Sequence, residues 1–231
     1  METVTKFTCQ YCHKDFAREN SLAVHVCEQK KRRQDRTERG VELGFQAYVR
    51  FYEMTQGSAK FKTYDDFVGS PYYNAFVKFG RYLVGVRAVN AVSFTGWLLT
   101  HNKKLDHWCK DSFYNEWLHE YLRKENVQDA LERGLKEMQD YADNNQDLKN
   151  GFRDYFRYGN ANRICHHIST GRISAWVVFN CDSGIAFLES LDEVLLTIVL
   201  PYIDPDYWTQ RLHDYLADAE WCKHILKEAG L

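Results

Sequence analysis

FTCQYCHKDFARENSLAVHVC, at residues 7–27, contains three cysteines and two histidines, side chains that commonly bind metal ions. A Cys-x2-Cys pair is followed, after a spacer of twelve residues, by His-x-Cys. This spacing is typical of a two-cysteine hairpin that leads into a short helix and binds zinc. A module of this size buries too little apolar surface to fold alone, so the metal must stabilise it. The predicted Zn²⁺ ligands are Cys9, Cys12, His25 and Cys27.

The last ligand pair is irregular. Cys27 follows His25 by two positions, and residues so spaced point about 200° apart on an α-helix. We therefore expect the helix to end or tighten after His25, so that Cys27 can reach the metal. His13 directly follows Cys12 and is a poor substitute. The open alternative is a cysteine pair that is buried without binding metal.

A basic segment follows the metal site. Residues 30–39 (KKRRQDRTER) carry six basic and two acidic side chains, whereas residues 182–220 carry nine carboxylates and Arg211 as their single Arg or Lys. This asymmetry suits a protein that touches nucleic acid with one part and another partner with the other, although two solvated faces would have the same composition. The predicted phosphate contacts in the basic segment are Lys30, Lys31, Arg32, Arg33, Arg36 and Arg39.

The rest of the chain reads as helical. Its 231 residues are 45% hydrophobic and 15% aromatic, enough for a substantial core, and apolar residues recur at helical spacing from residue 41 onward. We predict a mostly α fold with an N-terminal ββα finger. Residues 173–180 fit a strand or a buried helix, and their helical surroundings favour the helix. We expect Pro71 in the first turn of a helix. We also expect the last helix to run without a break over residues 208–228. The predicted segments are a zinc finger (1–28), a basic linker or helix (29–40), a helical DNA-binding domain (41–128) and a helical protein-interaction domain (129–231).

Motifs for catalysis are missing. Neither GxxxxGK[ST] nor GxGxxG occurs, so nucleotide hydrolysis is unsupported. His166 and His167 are adjacent and would diverge by about 100° on a helix, which favours surface or structural roles. The acidic pairs at 65–66 and 204–206 lack the further acidic cluster that a metal-dependent nuclease needs. The sequence predicts a binding protein and no enzyme.

The cysteine count and hydropathy suggest a location. Seven cysteines, an odd number, favour a reducing cytoplasm over a disulfide framework. No apolar run of about 18 residues is present, and the N-terminus lacks a secretory segment, so we expect a cytoplasmic protein without a membrane partner.

The first module resembles the two-Cys two-His zinc-finger family, apart from Cys27. In that family's frame, Arg18, Ser21 and Val24 occupy the base-facing positions. Arg18 could then donate two hydrogen bonds to guanine, whereas Val24 offers only apolar contact. One finger covers about three base pairs, which is too few for useful specificity alone.

Residues from about 41 onward resemble the replicative helicase loader of T-even-type tailed phages. The resemblance lies in the order and spacing of YVRFYEMTQG (48–57), the segments 62–64, 79–83 and 94–102, and ICHHISTGRIS (164–174). It implies an ATP-independent loader with two all-helical halves. The first half would resemble an HMG box and bind duplex DNA at a fork. The second would contact single-stranded arms, the single-strand-binding protein and the hexameric helicase. Basic residues of the first half that we predict as further DNA contacts include Lys60, Lys62, Lys103 and Lys104.

Three functions are therefore expected in descending order. The first is a zinc-containing, DNA-binding replication accessory protein that recognises forked or single-stranded DNA and loads the replicative helicase. The second is a zinc-finger transcription regulator that contacts DNA and RNA polymerase. The third is a virion or assembly protein in which zinc has only a structural role.

Overall fold

The computed structural model describes residues 6–57, 61–145 and 148–231. It confirms a mostly α fold, because helices make up almost all regular structure in these ranges and the only sheet there is a two-stranded hairpin. The elements are β1 (Phe7–Thr8), β2 (Asp15–Phe16), α1 (Glu19–Ala23), α2 (Glu28–Gln34), α3 (Arg39–Gln56), α4 (Tyr64–Gly69), α5 (Tyr73–Gly85), α6 (Ala91–Thr100), α7 (Asp111–Lys124), α8 (Val127–Asp143), α9 (Tyr155–Tyr158), α10 (Ala161–Ser169), α11 (Ala175–Phe179), α12 (Asp182–Glu189), α13 (Glu193–Val199), α14 (Pro205–Asp214) and α15 (Leu216–Ala229).

The chain forms two compact units, and the division falls inside α7. Unit 1 ends at Tyr114 and unit 2 begins at Asn115. The sequence placed a functional boundary after residue 128, and that division into a DNA-binding and a protein-binding domain stays a prediction. Among the described residues, no helix combines the length and apolarity needed to span a membrane.

Unit 1 is built around the crossing of α3 and α5. Gly40 and Gly44 on α3 face Gly80 on α5, and a Cβ added at Gly80 would overlap the carbonyl oxygen of Gly40 and lie 2.5 Å from the nitrogen of Gly44. Only glycine at these positions lets the two backbones approach so closely. At the edge of the crossing, the Nε–H and one terminal N–H of Arg81 donate to the two carboxylate oxygens of Glu38, each at 2.7 Å.

An aromatic cluster fills the rest of the unit 1 core. Trp108 is fully buried, and its ring centroid lies 5.0 Å from that of Phe79 and 5.9 Å from that of Phe76. The indole N–H of Trp108 donates to the carbonyl oxygen of Lys103 at 2.9 Å. Without this bond, the indole N–H would be buried with no hydrogen-bond partner, which is energetically costly.

Unit 2 is a second helical core around α11. The segment 173–180 is helical, as its surroundings suggested, and Ser174 caps α11 by accepting from the backbone N–H of Trp176. Trp176 packs edge-on against Trp208 with ring centroids 5.5 Å apart. The hydroxyl of Ser174 also donates to the buried carboxylate of Glu125 at 2.6 Å. A guanidinium N–H of Arg133 donates to the same carboxylate at 2.6 Å, so the charge is paired.

Two predicted boundaries are wrong. Pro71 lies in the turn before α5 rather than in its first helical turn. The expected helix over residues 208–228 is two helices, because the backbone leaves the helical region at Tyr215 (φ −117°, ψ 48°). Leu212, Leu216 and Ala219 keep helical spacing across this break, so periodicity could not locate it.

Candidate metal centre and basic surface

The hairpin presents the first two ligands. β1 and β2 pair antiparallel with Phe7 opposite Phe16, and the turn between them contains Cys9 and Cys12. The backbone N–H of His13 donates to the carbonyl oxygen of Cys9 at 2.8 Å. His13 itself has φ +56°, in the left-handed region, which closes the turn. The tight turn holds both sulfur atoms beside one another.

His25 lies beyond the end of α1. The helix ends at Ala23, Val24 caps it, and the backbone N–H of His25 still donates to the carbonyl oxygen of Leu22 at 3.1 Å. The imidazole ring packs on Phe16 with centroids 4.7 Å apart. We expected the helix to end after His25, but it ends before it. The compressed His-x-Cys spacing is accommodated because neither ligand lies on α1.

Cys27 has two structural roles. It is the N-cap of α2, and its sulfur accepts a hydrogen bond from the backbone N–H of Lys30 at 3.4 Å. Unpaired N–H groups and the helix dipole make this end of a helix favourable for negative charge. The same atom is therefore positioned both to ligate a metal as thiolate and to begin the basic helix.

The four donor atoms converge. The sulfur atoms of Cys9, Cys12 and Cys27 and a ring nitrogen of His25 all lie within 4.8 Å of one another. Cys9 Sγ is 3.9 Å from Cys27 Sγ, and Cys12 Sγ is 3.3 Å from His25 Nε2. In a tetrahedral zinc site, S–S edges are about 3.8 Å and S–N edges about 3.6 Å, given the usual bond lengths. The arrangement fits one tetrahedral metal ion.

Electrostatics also favour a cation here. The backbone N–H of Cys12 is the main cause of the lowered pKa of Cys9. Hydrogen bonding by the backbone of Lys14 lowers the pKa of Cys12, but desolvation and the neighbouring Cys9 and Cys27 outweigh it, so that pKa is raised. Three sulfur atoms this close repel one another as thiolates. A bound dication would remove the repulsion, and a three-sulfur, one-nitrogen donor set selects a soft or borderline metal over Mg²⁺ or Ca²⁺.

The structure separates the basic segment into two groups. Arg32 belongs to the fold: its side chain is only 14% exposed, it donates to the carbonyl oxygen of Val68 at 2.7 Å, and its guanidinium lies 4.4 Å from the ring centroid of Tyr73. It also pairs with Glu28. These contacts fasten α2 to α4 and α5, so Arg32 has little surface left for a phosphate.

Arg33 links the metal module to the helical part of unit 1. Its guanidinium lies 5.5 Å from the ring centroid of Tyr11 in the hairpin turn, and one N–H donates to the carboxylate of Asp65 at 2.9 Å. Asp65 is the first acidic residue of α4. The metal module is thus held against its neighbour by its own basic helix.

The other four cations of the segment are more accessible. Lys31, Arg36 and Arg39 are exposed and Lys30 is half-buried. Arg36 lies over the ring of Tyr64 at 5.0 Å and Arg39 pairs with Glu42 at 3.3 Å, and both contacts leave the guanidinium reachable from solvent. These four side chains keep the chemistry that phosphate binding needs.

The other predicted DNA contacts occupy varied positions. Arg18 is exposed at the start of α1. Lys62 lies over the ring of Tyr52 at 4.5 Å, and the ammonium of Lys103 lies 4.3 Å from the ring centroid of Phe113. Lys104 is exposed. Lys60 lies outside the described residues.

The histidine pair has the structural role expected of it. His166 is exposed and His167 is buried, with its Nδ1 2.7 Å from the hydroxyl oxygen of Tyr155. Adjacent positions on α10 place the two rings in different surroundings, so they form no common site.

The acidic pairs are likewise used by the fold. Asp66 completes a capping box with Thr63 at the start of α4, and Asp204 caps α14 and pairs with Arg123 at 3.3 Å. Across the described ranges, the four-ligand cluster is the one group of three or more metal-binding side chains that converges.

Sequence reasoning missed how the finger's surface is finished. Val24 and Val26, on either side of His25, are 79% and 66% exposed, and the neighbouring residues Ala23 and His25 line a groove. The clue in the sequence was two valines that flank a ligand in a module too small to bury much apolar surface.

Comparison with protein-family models, curated proteins and solved structures found no match to this chain. The helicase-loader resemblance therefore has no support from a relative.

Proposed function

We propose that this chain is a zinc-containing, DNA-binding accessory protein without catalytic activity, in which the metal centre orients a basic helix for phosphate contact. In its more specific form, which follows the resemblance, the protein recognises forked or single-stranded DNA and loads a replicative helicase. Zinc is proposed because three thiolates and one imidazole, with no open position, are the ligand set of a structural zinc site.

One observation carries the proposal: the basic helix is fixed at both ends. Its first turn begins at the metal ligand Cys27, and its last turn is held by the half-buried side chain of Arg32. Lys30 and Lys31 lie on this helix, Arg36 lies in the turn that follows it, and Arg39 is the first residue of α3. Preorganised cations lose less side-chain and backbone freedom on binding, which favours contact with a polyanion.

The salt dependence of DNA binding tests the phosphate contacts. If all four cations neutralise duplex phosphates, together they contribute about −3.6 to the slope of log K against log[salt]. Replacement of the four by glutamine should make the slope shallower by about that amount. The matched control replaces four exposed lysines of unit 2, at positions 136, 149, 223 and 227, which changes the net charge equally. If both variants change the slope alike, the cations of the basic segment do not form a specific contact surface.

A second experiment tests the loading function. Affinities for forked DNA, linear duplex and single strands of matched length would be compared by fluorescence anisotropy. A loader should prefer the fork and should increase helicase association with DNA covered by single-strand-binding protein. Protection of one defined duplex sequence in footprinting would instead support a transcription regulator. Affinity for none of the three DNAs would exclude both.

A further inference from the structure

The end of the metal module carries an apolar surface that folding leaves uncovered. Val24 and Val26 flank the ligand His25 and are 79% and 66% exposed. A groove of about 260 Å³ is lined by their chain neighbours Ala23 and His25 and by Cys9. Tyr11, Leu22, Ala23 and Lys30 are among the residues that form its walls. The positions of the groove and of the two valines therefore both depend on the metal site.

This surface is poorly suited to reading bases. α1 has five residues, about one and a half turns, whereas a base-reading finger helix uses positions spread over two turns. Val24 lies past the end of α1, so the outermost of the three base-facing positions is not on the helix. Aliphatic side chains also lack donors and acceptors for base edges. The exposed valines need another kind of ligand.

The charge around the groove is positive. Lys30 forms part of its wall, and its ammonium makes no hydrogen bond or ion pair within the described part of the chain. Lys31 follows on the same helix and is exposed, and Arg18 is exposed at the other end of α1. A groove that combines apolar walls at Tyr11, Leu22 and Ala23 with the ammonium of Lys30 complements a segment that has apolar side chains between carboxylates.

We propose that this groove binds a short peptide segment of a partner protein in which one or two large apolar residues are flanked by aspartate or glutamate. The apolar residues would enter the groove against Tyr11 and Leu22, and the segment would continue over the exposed Val24 and Val26, which are next in the chain to the lining residues Ala23 and His25. A carboxylate would pair with Lys30. Binding would require the metal, because the walls of the groove come from the hairpin, α1 and α2, and the four ligands hold these elements together.

Peptide binding at the groove rests on the same metal site as the proposed function, and both use Lys30. Peptide affinity and DNA affinity must therefore be measured separately on the same variants. The probe is a fluorescently labelled peptide, EDLFEDL, with KKLFKKL and EDSSEDS as charge and apolar controls. Val24→Ser/Val26→Ser should weaken the binding of EDLFEDL about tenfold, because two apolar contacts are lost. The double variant Val92→Ser/Val194→Ser, which alters two exposed valines outside the module, should leave it unchanged. Lys30→Gln should weaken binding severalfold and reduce its salt dependence.

Metal content of each variant, measured by mass spectrometry, separates loss of contact from loss of the module. A metal-loaded Val24→Ser/Val26→Ser variant with unchanged EDLFEDL affinity would overturn the proposal, as would equal binding of KKLFKKL or EDSSEDS. If the variant instead loses affinity for DNA, the surface contacts nucleic acid. If it loses self-association in sedimentation, the surface binds a second copy of the chain. Either result would overturn the proposal that the ligand is a peptide of a partner protein. DNA affinity that survives while peptide binding fails would leave the proposed function standing.

Discussion

Lys31 and Arg32 are neighbours in one basic run, yet we expect opposite consequences when each is changed to alanine. Arg32→Ala removes a charged hydrogen bond to the carbonyl oxygen of Val68 at the end of α4, which contributes about 1.5–3 kcal/mol. It also removes the contact of the guanidinium with the ring of Tyr73, about 1 kcal/mol. The exposed pair with Glu28 adds little. We expect a loss of about 3 kcal/mol in unit 1, or roughly 10 °C in Tm.

Lys31→Ala is the matched control. Lys31 is exposed, so its replacement should change stability by less than about 0.5 kcal/mol while reducing the salt slope of DNA binding by about 0.9. Arg32→Lys should fall between, because lysine keeps the charge but lacks the planar fork that bonds the carbonyl and stacks on the ring. Hydrogen exchange of the backbone amides in α4 and α5 measures the loss of stability at the place where Arg32 makes its contacts. Equal destabilisation by Arg32→Ala and Lys31→Ala would refute the structural assignment of Arg32.

Three further outcomes follow from the structure. After chelation of the metal, the three ligand thiols should react with a thiol reagent, whereas Cys222, whose pKa burial raises to about 12, should react only when the chain unfolds; counting labels by mass spectrometry checks this. Gly80→Ala should cost about 3 kcal/mol in urea unfolding because the helices must separate, while Gly85→Ala on the same helix, where nothing lies within 4 Å of an added Cβ, should cost nothing. Hydrogen bonds from Arg81 lower the pKa of Glu38, so this carboxylate stabilises the fold at neutral pH and loses that contribution as the pH falls below the ordinary carboxyl range. The difference in urea midpoint between wild type and Glu38→Gln should therefore be present near pH 7 and decrease as the pH falls below the ordinary carboxyl range; a difference that stays constant in acid would contradict the assignment.

The sequence was informative where one local rule decides the outcome. Ligand type and spacing identified Cys9, Cys12, His25 and Cys27, because tetrahedral coordination restricts which spacings can converge on one ion. Apolar periodicity from residue 41 onward indicated the helical class. Each of these features depends on residues close together in the chain.

Other features depend on residues that only the fold brings together. The run KKRR gives no sign that its third residue packs against the rest of unit 1, because Val68 and Tyr73 are more than thirty positions away. The early end of α1 was also hidden, since Val24 and His25 continue a helical pattern that metal geometry interrupts. The contact of Gly80 with Gly40 requires knowledge of which helices cross. In each case a tertiary contact overrides a local preference.

Cys27 connects the metal site directly to the basic helix α2. A metal ligand that is also an N-cap transmits the state of the metal site to the first turn of α2, which contains Lys30 and Lys31. Arg32 and Arg33, one turn later, hold the other end of α2 through contacts that do not involve the metal. Loss of metal should therefore loosen the start of the helix and leave its end attached. Lys30 and Lys31 would lose their preorganisation, whereas Arg36 and Arg39 would keep theirs. The metal centre then acts as a local support for two of the four accessible cations, which is a narrower role than folding the whole of unit 1.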